Sequence, residues 1–353
     1  MEKLLYQCAL GKKTAKTPIW FMRQAGRYLP EYREIRKYHN TLTMFKTPKI
    51  ATEITLQPIR RFESLDGAII YADILLIPDA FGLGLSFIEK EGPRFKRTIR
   101  SASDLLSISE KAENVDQVVK DLSYVGQAIA DVKAQLPNHV TMLGFAGAPF
   151  TVASYMIEGG SAKKDFIETK KLMYGAPDTF HELQRLITKA TIAYLDMQVA
   201  AGAEVLQLFE SWSGAISPED YRKFCLPYSQ QILQTLKKKV PVIHFLGQGA
   251  GLLDDILNVE PPSVLSIDWR QDLQTVCNKL TKQDYKVTLQ GNLDPQILYA
   301  PPHILKSKIE TCLKVGTEYP NGYIFNLGHG ITPETPIENV ELMIQTVKNY
   351  LSH

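Results

Sequence analysis

Little in this chain assigns a class at a glance. Its 353 residues hold only four cysteines, Cys8, Cys225, Cys277 and Cys312. They are scattered and form no Cys-x-x-Cys pair, which argues against a zinc ribbon, a dithiol redox motif and a disulfide framework. Isolated thiols in a chain of this length fit a reducing compartment. The 40 basic and 38 acidic residues leave a net charge of +2, without the basic excess of a nucleic-acid-binding surface. No apolar run approaches the roughly 20 residues that span a bilayer. The first ten residues carry Glu2 and Gln7 within a short apolar stretch, a poor secretory leader. A soluble cytoplasmic protein is expected. There is no Gly-x-Ser-x-Gly elbow, no phosphate-binding P-loop and no His-Glu-x-x-His. Gly82-x-Gly84 is too short for a dinucleotide fingerprint. No cofactor or metal signature is present.

Core-forming residues, in contrast, are plentiful. Hydrophobic residues make up 44% and charged residues 22%, enough for a large buried core. Seven short apolar runs recur: Gly67–Asp73, Val140–Ala146, Glu204–Phe209, Val240–Phe245, Val264–Trp269, Lys286–Gly291 and Tyr323–Leu327. Each is apolar on both faces, as a strand buried in a parallel sheet should be. Amphipathic helical patterns separate most of them; in the clearest, Asp178–Ala201, Asp178 is the expected N-cap. Alternating strands and helices imply a parallel sheet covered by helices. With Thr17–Met22 as an eighth strand the sheet would close into a (β/α)8 barrel; the alternation alone fits an open doubly wound sheet equally. Gly82–Pro93 reads as a β-hairpin insertion, near residues 82–97. No linker divides the chain, so residues 1–353 are expected to form one α/β catalytic domain.

A barrel's chemistry sits at the C-terminal ends of its strands. There the sequence places Asp73, Tyr155 shortly after Gly147–Phe150, Glu210 and Ser211, Gly247 and Gln248, Asp268, Asn292 and Asp294, and Asn326-Leu327-Gly328-His329-Gly330. Spacing alone reads Asp73 equally as helix cap or catalyst. His329 lies between two glycines, which let a ligand or backbone approach closely. His244, inside an apolar strand, reads as a core residue, and Tyr155 and Ser211 say little singly.

Arg23-Gln24-Ala25-Gly26-Arg27 is less ordinary. Two guanidinium groups suit bidentate capture of carboxylates, and small residues between them bare the backbone. On composition alone a solvated charged turn is the commoner reading. The segment resembles the N-terminal signature of the uroporphyrinogen decarboxylase family. So, in family order, do Tyr71–Leu75, Gly144–Thr151, Tyr155–Gly160, Gln207–Ser211, Gln290–Pro295 and Asn326–Gly330. The resemblance runs from about Thr17 to the last helix. It implies a single (β/α)8 barrel, a homodimer, no cofactor and no metal. The implied activity is loss of carbon dioxide from the four acetate side chains of uroporphyrinogen III, giving coproporphyrinogen III in haem biosynthesis. It also implies catalytic roles for Asp73 and Arg23. Substrate contacts are implied for Arg23, Gln24, Ala25, Gly26, Arg27, Asp73, Tyr155, Ser211 and His329. Two rivals share the barrel. A zinc-dependent corrinoid or thiol methyltransferase of the same superfamily would need a thiolate where His244-Phe245-Leu246 supplies Leu246. A non-catalytic tetrapyrrole-binding barrel would have no use for Asp73 and the arginines together.

Overall fold

The computed structural model describes residues 3–89, 91–161 and 165–351. Among these residues nine strands occur in chain order: β1 (Gly67–Ile69), β2 (Leu85–Ile88), β3 (Gly92–Phe95), β4 (Thr141–Gly147), β5 (Val205–Glu210), β6 (Val242–Leu246), β7 (Val264–Ile267), β8 (Thr288–Leu293) and β9 (Tyr323–Leu327). Seven form one parallel sheet in the order β1-β4-β5-β6-β7-β8-β9, and β2 and β3 form the separate antiparallel hairpin. Helices follow each strand of the large sheet and pack on its outer face. The strands of the large sheet are buried throughout except at Phe209 of β5, so both faces are largely apolar, which is why the runs lack alternation.

The curled sheet closes between β9 and β1, and the expected eighth strand is the piece that closes it. Thr17–Met22 does not form a full strand: it makes one parallel bridge, Ile19 to Phe325. Phe325 N–H donates to Pro18 O (2.9 Å) and Asp66 N–H to Ile19 O (2.9 Å). Proline at position 18 has no N–H to add to a ladder. The buried Asp66 side chain supplies the missing grip, its Oδ2 accepting from Ile19 N–H at 2.7 Å. The same oxygen accepts from Lys348 Nζ at 2.5 Å, tying the last helix (Ile337–Asn349) to the seam. Inside the barrel, Trp20 Nε1 donates to Gln290 Oε1 (2.8 Å). Gln290 Nε2 in turn donates to Gln207 Oε1 (3.1 Å) and Ser266 Oγ (3.0 Å). The closing segment is thereby braced against β5, β7 and β8.

Two local expectations need correction. The long helix runs Pro177–Ala200 with Ala176 at its N-cap. Proline's fixed φ suits the first helical position, so Asp178 falls in the first turn and faces the helix dipole instead of capping. β1 ends at Ile69, four residues early, because Tyr71 N–H leaves the ladder for Thr55 Oγ1 (2.9 Å).

Lys348→Ala leaves the Asp66 carboxylate buried without its cation. Breaking such a pair costs more than a surface pair. Because Lys348 is partly exposed, about 2 to 3 kcal/mol is expected by urea denaturation. A loss below about 0.5 kcal/mol would show that the pair does not hold the seam.

Candidate active site

A cavity of about 1230 Å³ opens at the C-terminal ends of the strands. Its deep wall is aromatic. Phe209 and Phe245 are register partners on β5 and β6, and their rings meet edge to face with centroids 5.9 Å apart. Phe145 of β4 stands 5.6 Å from Phe209, and His329 lies 6.0 Å from Phe245. All four line the cavity. A second aromatic file, Tyr71–Phe45–Phe87, has centroids 4.7 and 5.7 Å apart and runs up the opposite side to the β2–β3 hairpin. The phenylalanines among them read as ordinary core in the sequence. The available signal was an aromatic near the C-terminal end of three successive strands.

Asp73 lies in this cavity, after β1. Its Oδ1 accepts from Leu75 N–H at 2.9 Å. That bond fixes the carboxyl as a turn-forming group does, while Oδ2 accepts no hydrogen bond from the described residues. Asp73 does not cap the following helix, whose N-cap is Leu75 with no side-chain cap bond; one Asp73 oxygen holds the turn that precedes that helix. Removal from water pushes the Asp73 pKa up to about 6, against the smaller opposing effects of the Leu75 N–H and the positive Arg23.

Arg23 enters from the closing segment. Its backbone is in the left-handed region, φ +62°, a conformation that non-glycine residues adopt at a cost. Gln24 enforces it from beneath. The Gln24 side chain is fully buried and turned away from the cavity: Nε2 donates to Gly67 O at 2.9 Å, and Tyr28 Oη–H donates to the Gln24 carbonyl at 2.7 Å. Arg33 Nη1 donates to the carbonyls of Arg27 and Tyr28, both at 2.9 Å. Ala25, Gly26 and Arg27 line the cavity with Arg23, whereas Gln24 does not. Arg36, one helix later, lies on the same rim, and no sequence signal marked it.

The glycines around His329 serve packing. A Cβ on Gly330 would stand 2.5 Å from Arg23 Cδ, and one on Gly328 would stand 2.4 Å from Trp269 N. Gly330 is thus the slot in which the Arg23 stem lies. His329 is pushed down to about pKa 4 by burial and by the neighbouring positive charges of Arg23 and Arg270, against a weaker pull from Asp268, so it is neutral at physiological pH. Burial pushes Tyr155 up to about 12, leaving a protonated hydroxyl. Tyr155 and Ser211 complete the wall between the Phe209 ring and the mouth.

Two other strand-end carboxylates, Asp268 and Asp294, are structural. Asp268 accepts from Gln248 N–H (2.6 Å) and Arg270 Nη1 (3.0 Å), and Asp294 caps the turn that follows it. His244 is buried with both ring nitrogens unpartnered, and burial pushes it down to about 4. Strand alternation points it opposite to Phe245, toward the helices. Among the described residues, no three His, Cys, Asp or Glu side chains converge on a possible metal position. None of the described helices is long and apolar enough to cross a membrane.

The cavity brings Asp73 together with an aromatic wall and the guanidinium groups of Arg23, Arg27 and Arg36, and Glu89 and Glu91 of the β2–β3 hairpin also line it. It can hold a flat, cation-forming ring whose edge bears several carboxylates.

Comparison with known proteins points the same way. The family model described as uroporphyrinogen decarboxylase (URO-D) matches residues 1–350. The uroporphyrinogen decarboxylase of Vesicomyosocius okutanii is 43% identical over 347 residues, covering 97% of this chain and 96% of its own length. That of Carboxydothermus hydrogenoformans is 42% identical over 348 residues, covering 98% and 96%. Among solved structures, a methyltransferase from Methanosarcina mazei superposes with a TM-score of 0.77 at 17% identity, covering 97% of this chain and 96% of that one. At that identity the likeness is one of fold.

The raised pKa of Asp73 carries a stability consequence. Between pH 3.8 and about 6 the folded protein holds a proton that the unfolded chain has lost, so folding stability falls as pH rises through that window and stays lower above it. Asp73→Asn should therefore melt at a higher temperature than the native protein at pH 8, with the difference closing toward pH 4. Thermal denaturation across that range checks this. A variant less stable than native at pH 8 would contradict it.

Proposed function

The chain belongs to the uroporphyrinogen decarboxylase family, a family of carboxy-lyases, and from that membership we propose that it converts uroporphyrinogen III to coproporphyrinogen III. One catalytic barrel over residues 1–353 would carry the whole activity. The observation that carries this reading is Asp73, the carboxylate with an unpaired oxygen in an aromatic basin, with Arg23 and Arg27 above it.

Each of the four cycles begins with protonation of a pyrrole ring carbon, which makes the ring cationic. The bond between the acetate methylene and its carboxylate then breaks, carbon dioxide leaves, and the bonding pair neutralises the ring. Protonation of the exposed exocyclic carbon leaves a methyl group, and loss of the added ring proton restores the pyrrole. The ring is its own electron sink, so the sequence needs neither pyridoxal phosphate nor thiamine.

Asp73 is assigned to the pyrrole N–H groups. In a basin walled by Phe145, Phe209 and Phe245 its charge opposes the cation with little water to screen it. Arg23 has two tasks: it pairs with a side-chain carboxylate and, as a nearby cation, draws the Asp73 pKa down, holding it ionised. Arg27 pairs with a further carboxylate at the mouth. Ala25 and Gly26 offer backbone to the substrate, and Gln24 contributes through the turn it anchors. Tyr155 and Ser211 donate hydroxyl hydrogen bonds, and neutral His329 offers a ring nitrogen. Guanidinium barely gives up a proton, so water admitted to the cavity is the assigned proton source. Cysteines that are all unpaired support a cytoplasmic location, and the family resemblance supports a homodimer. Zinc-dependent methyl transfer finds no support in the donor set: Leu246 stands where a thiolate is needed, and His244 points away from the cavity.

Incubation with uroporphyrinogen III, scoring carbon dioxide and coproporphyrinogen III, tests the activity. No release of carbon dioxide by folded protein would refute it. Asp73→Asn should remain folded and lose at least ~100-fold in kcat, the scale of removing one electrostatic stabiliser. Turnover near that of the native enzyme would remove Asp73 from the mechanism. Arg27→Ala should raise KM by about tenfold, the cost of one lost charge-assisted bond, and unchanged KM and kcat would refute the clamp.

A further inference from the structure

Behind the Phe209 ring lies a second carboxylate that the mechanism above does not use. Strand alternation turns Phe209 into the cavity and its neighbour Glu210 into the layer between sheet and helices. Glu210 is fully buried. Thr151 Oγ1 donates to its Oε1 at 2.9 Å, and Ser229 Oγ donates to its Oε2 at 3.0 Å. Thr151 has a single hydroxyl proton, and Glu210 takes it. The Thr151 oxygen is thereby left to accept, and it accepts the N–H of Ser211 at 3.0 Å. Ser211 lines the cavity.

We propose that Glu210 is a positioning residue for substrate binding: its carboxylate sets the Thr151 hydroxyl rotor, and Thr151 fixes the Ser211 peptide and the Phe209–Ser211 face that meets the substrate. This rests on the decarboxylase reading above. A plain packing role does not explain the geometry, because an unpaired carboxylate is expensive to bury and an apolar side chain would fill the space. The chain of bonds has a definite polarity, ending on a residue of the cavity wall. Without an acceptor at Glu210 the Thr151 hydroxyl hydrogen is free to turn toward the Ser211 N–H, where two donors would oppose each other and the hold on the peptide would loosen.

The relay works while both Glu210 oxygens accept. The other titratable groups facing Glu210 are Tyr221 and Cys225, from the adjoining helices, and burial holds both neutral. No cation compensates the charge, and burial pushes Glu210 up to about 7, against the pull of Thr151 and Ser229. Below that pH one carboxyl oxygen carries a proton and must donate, and in the fraction where it donates to Thr151 the hydroxyl rotor is no longer set. Substrate affinity should therefore weaken in two steps on acidification, the first from Glu210 near pH 7 and the second from Asp73 near pH 6.

Three variants test the relay by steady-state kinetics between pH 5.5 and 8.5. Thr151→Val, which keeps the shape and removes the hydroxyl, should raise KM about tenfold with kcat within about threefold of native, the signature of lost binding. Thr151→Ser, which keeps the hydroxyl, should restore KM to within about twofold. Glu210→Gln carries one acceptor and one donor, as the neutral carboxyl does. It should bind at pH 8 as the native enzyme binds below pH 7 and should lack the step near pH 7, a change that a merely structural residue would not produce. Native KM in Thr151→Val, or an unchanged step near pH 7 in Glu210→Gln, would overturn the proposal. If the decarboxylase reading itself fails, the native protein shows no turnover; if only the relay fails, native protein and Thr151→Val turn over alike.

Discussion

The bond on which most else depends is the one between Asp66 and the backbone of Ile19. Seven strands make a curled sheet with two free edges, and exposed edges are a liability that a barrel removes by closing. Here closure falls to a segment that cannot pair as a strand, because Pro18 lacks a donor. Asp66 replaces the missing ladder with a side chain, and Lys348 neutralises it from the last helix. Continuing past the seam, the chain emerges at the mouth between the ends of β9 and β1. This brings Arg23 beside Asp73 and into the slot left by Gly330. The site is therefore a consequence of how the barrel is shut.

The cavity separates charge by depth. At the bottom, aromatic rings line the cavity near Asp73, and removal from water raises the cost of ionising its carboxyl. At the rim, guanidinium groups remain hydrated enough to exchange carboxylates. The same desolvation makes the ionised Asp73 costly to the fold. Gln24, buried below its own turn, holds Arg23 in a backbone conformation that the residue would not choose alone.

Much of this was legible in the sequence. The six apolar runs after the first agree with β4 to β9 within two residues at each end, because a doubly buried strand has a distinctive composition. The first run overran, since Thr55 draws Tyr71 out of the ladder, a tertiary contact with no local mark. Pro177 displaced Asp178 from the cap, a competition between two good helix-start signals. In the site, Arg23, Ala25, Gly26, Arg27, Asp73, Tyr155, Ser211 and His329 do share one cavity. The inward turn of Gln24 was hidden because a buried amide and an exposed one look alike in sequence. The glycines beside His329 were rightly marked as points of close approach, although the partners are Arg23 and Trp269 and not a ligand. The aromatic wall escaped notice because three phenylalanines on buried strands read as core until the register is known.

The central claim is that Asp73 is a carboxylate poised by desolvation in a water-poor basin. Carbon-13 NMR of protein labelled at aspartate carboxyls, with Asp73→Asn to assign the resonance, measures that state directly. The account predicts that the Asp73 signal titrates near pH 6. A midpoint at or below the ordinary aspartate value of about 3.9 would mean that the basin does not desolvate it, and the assigned role would fall.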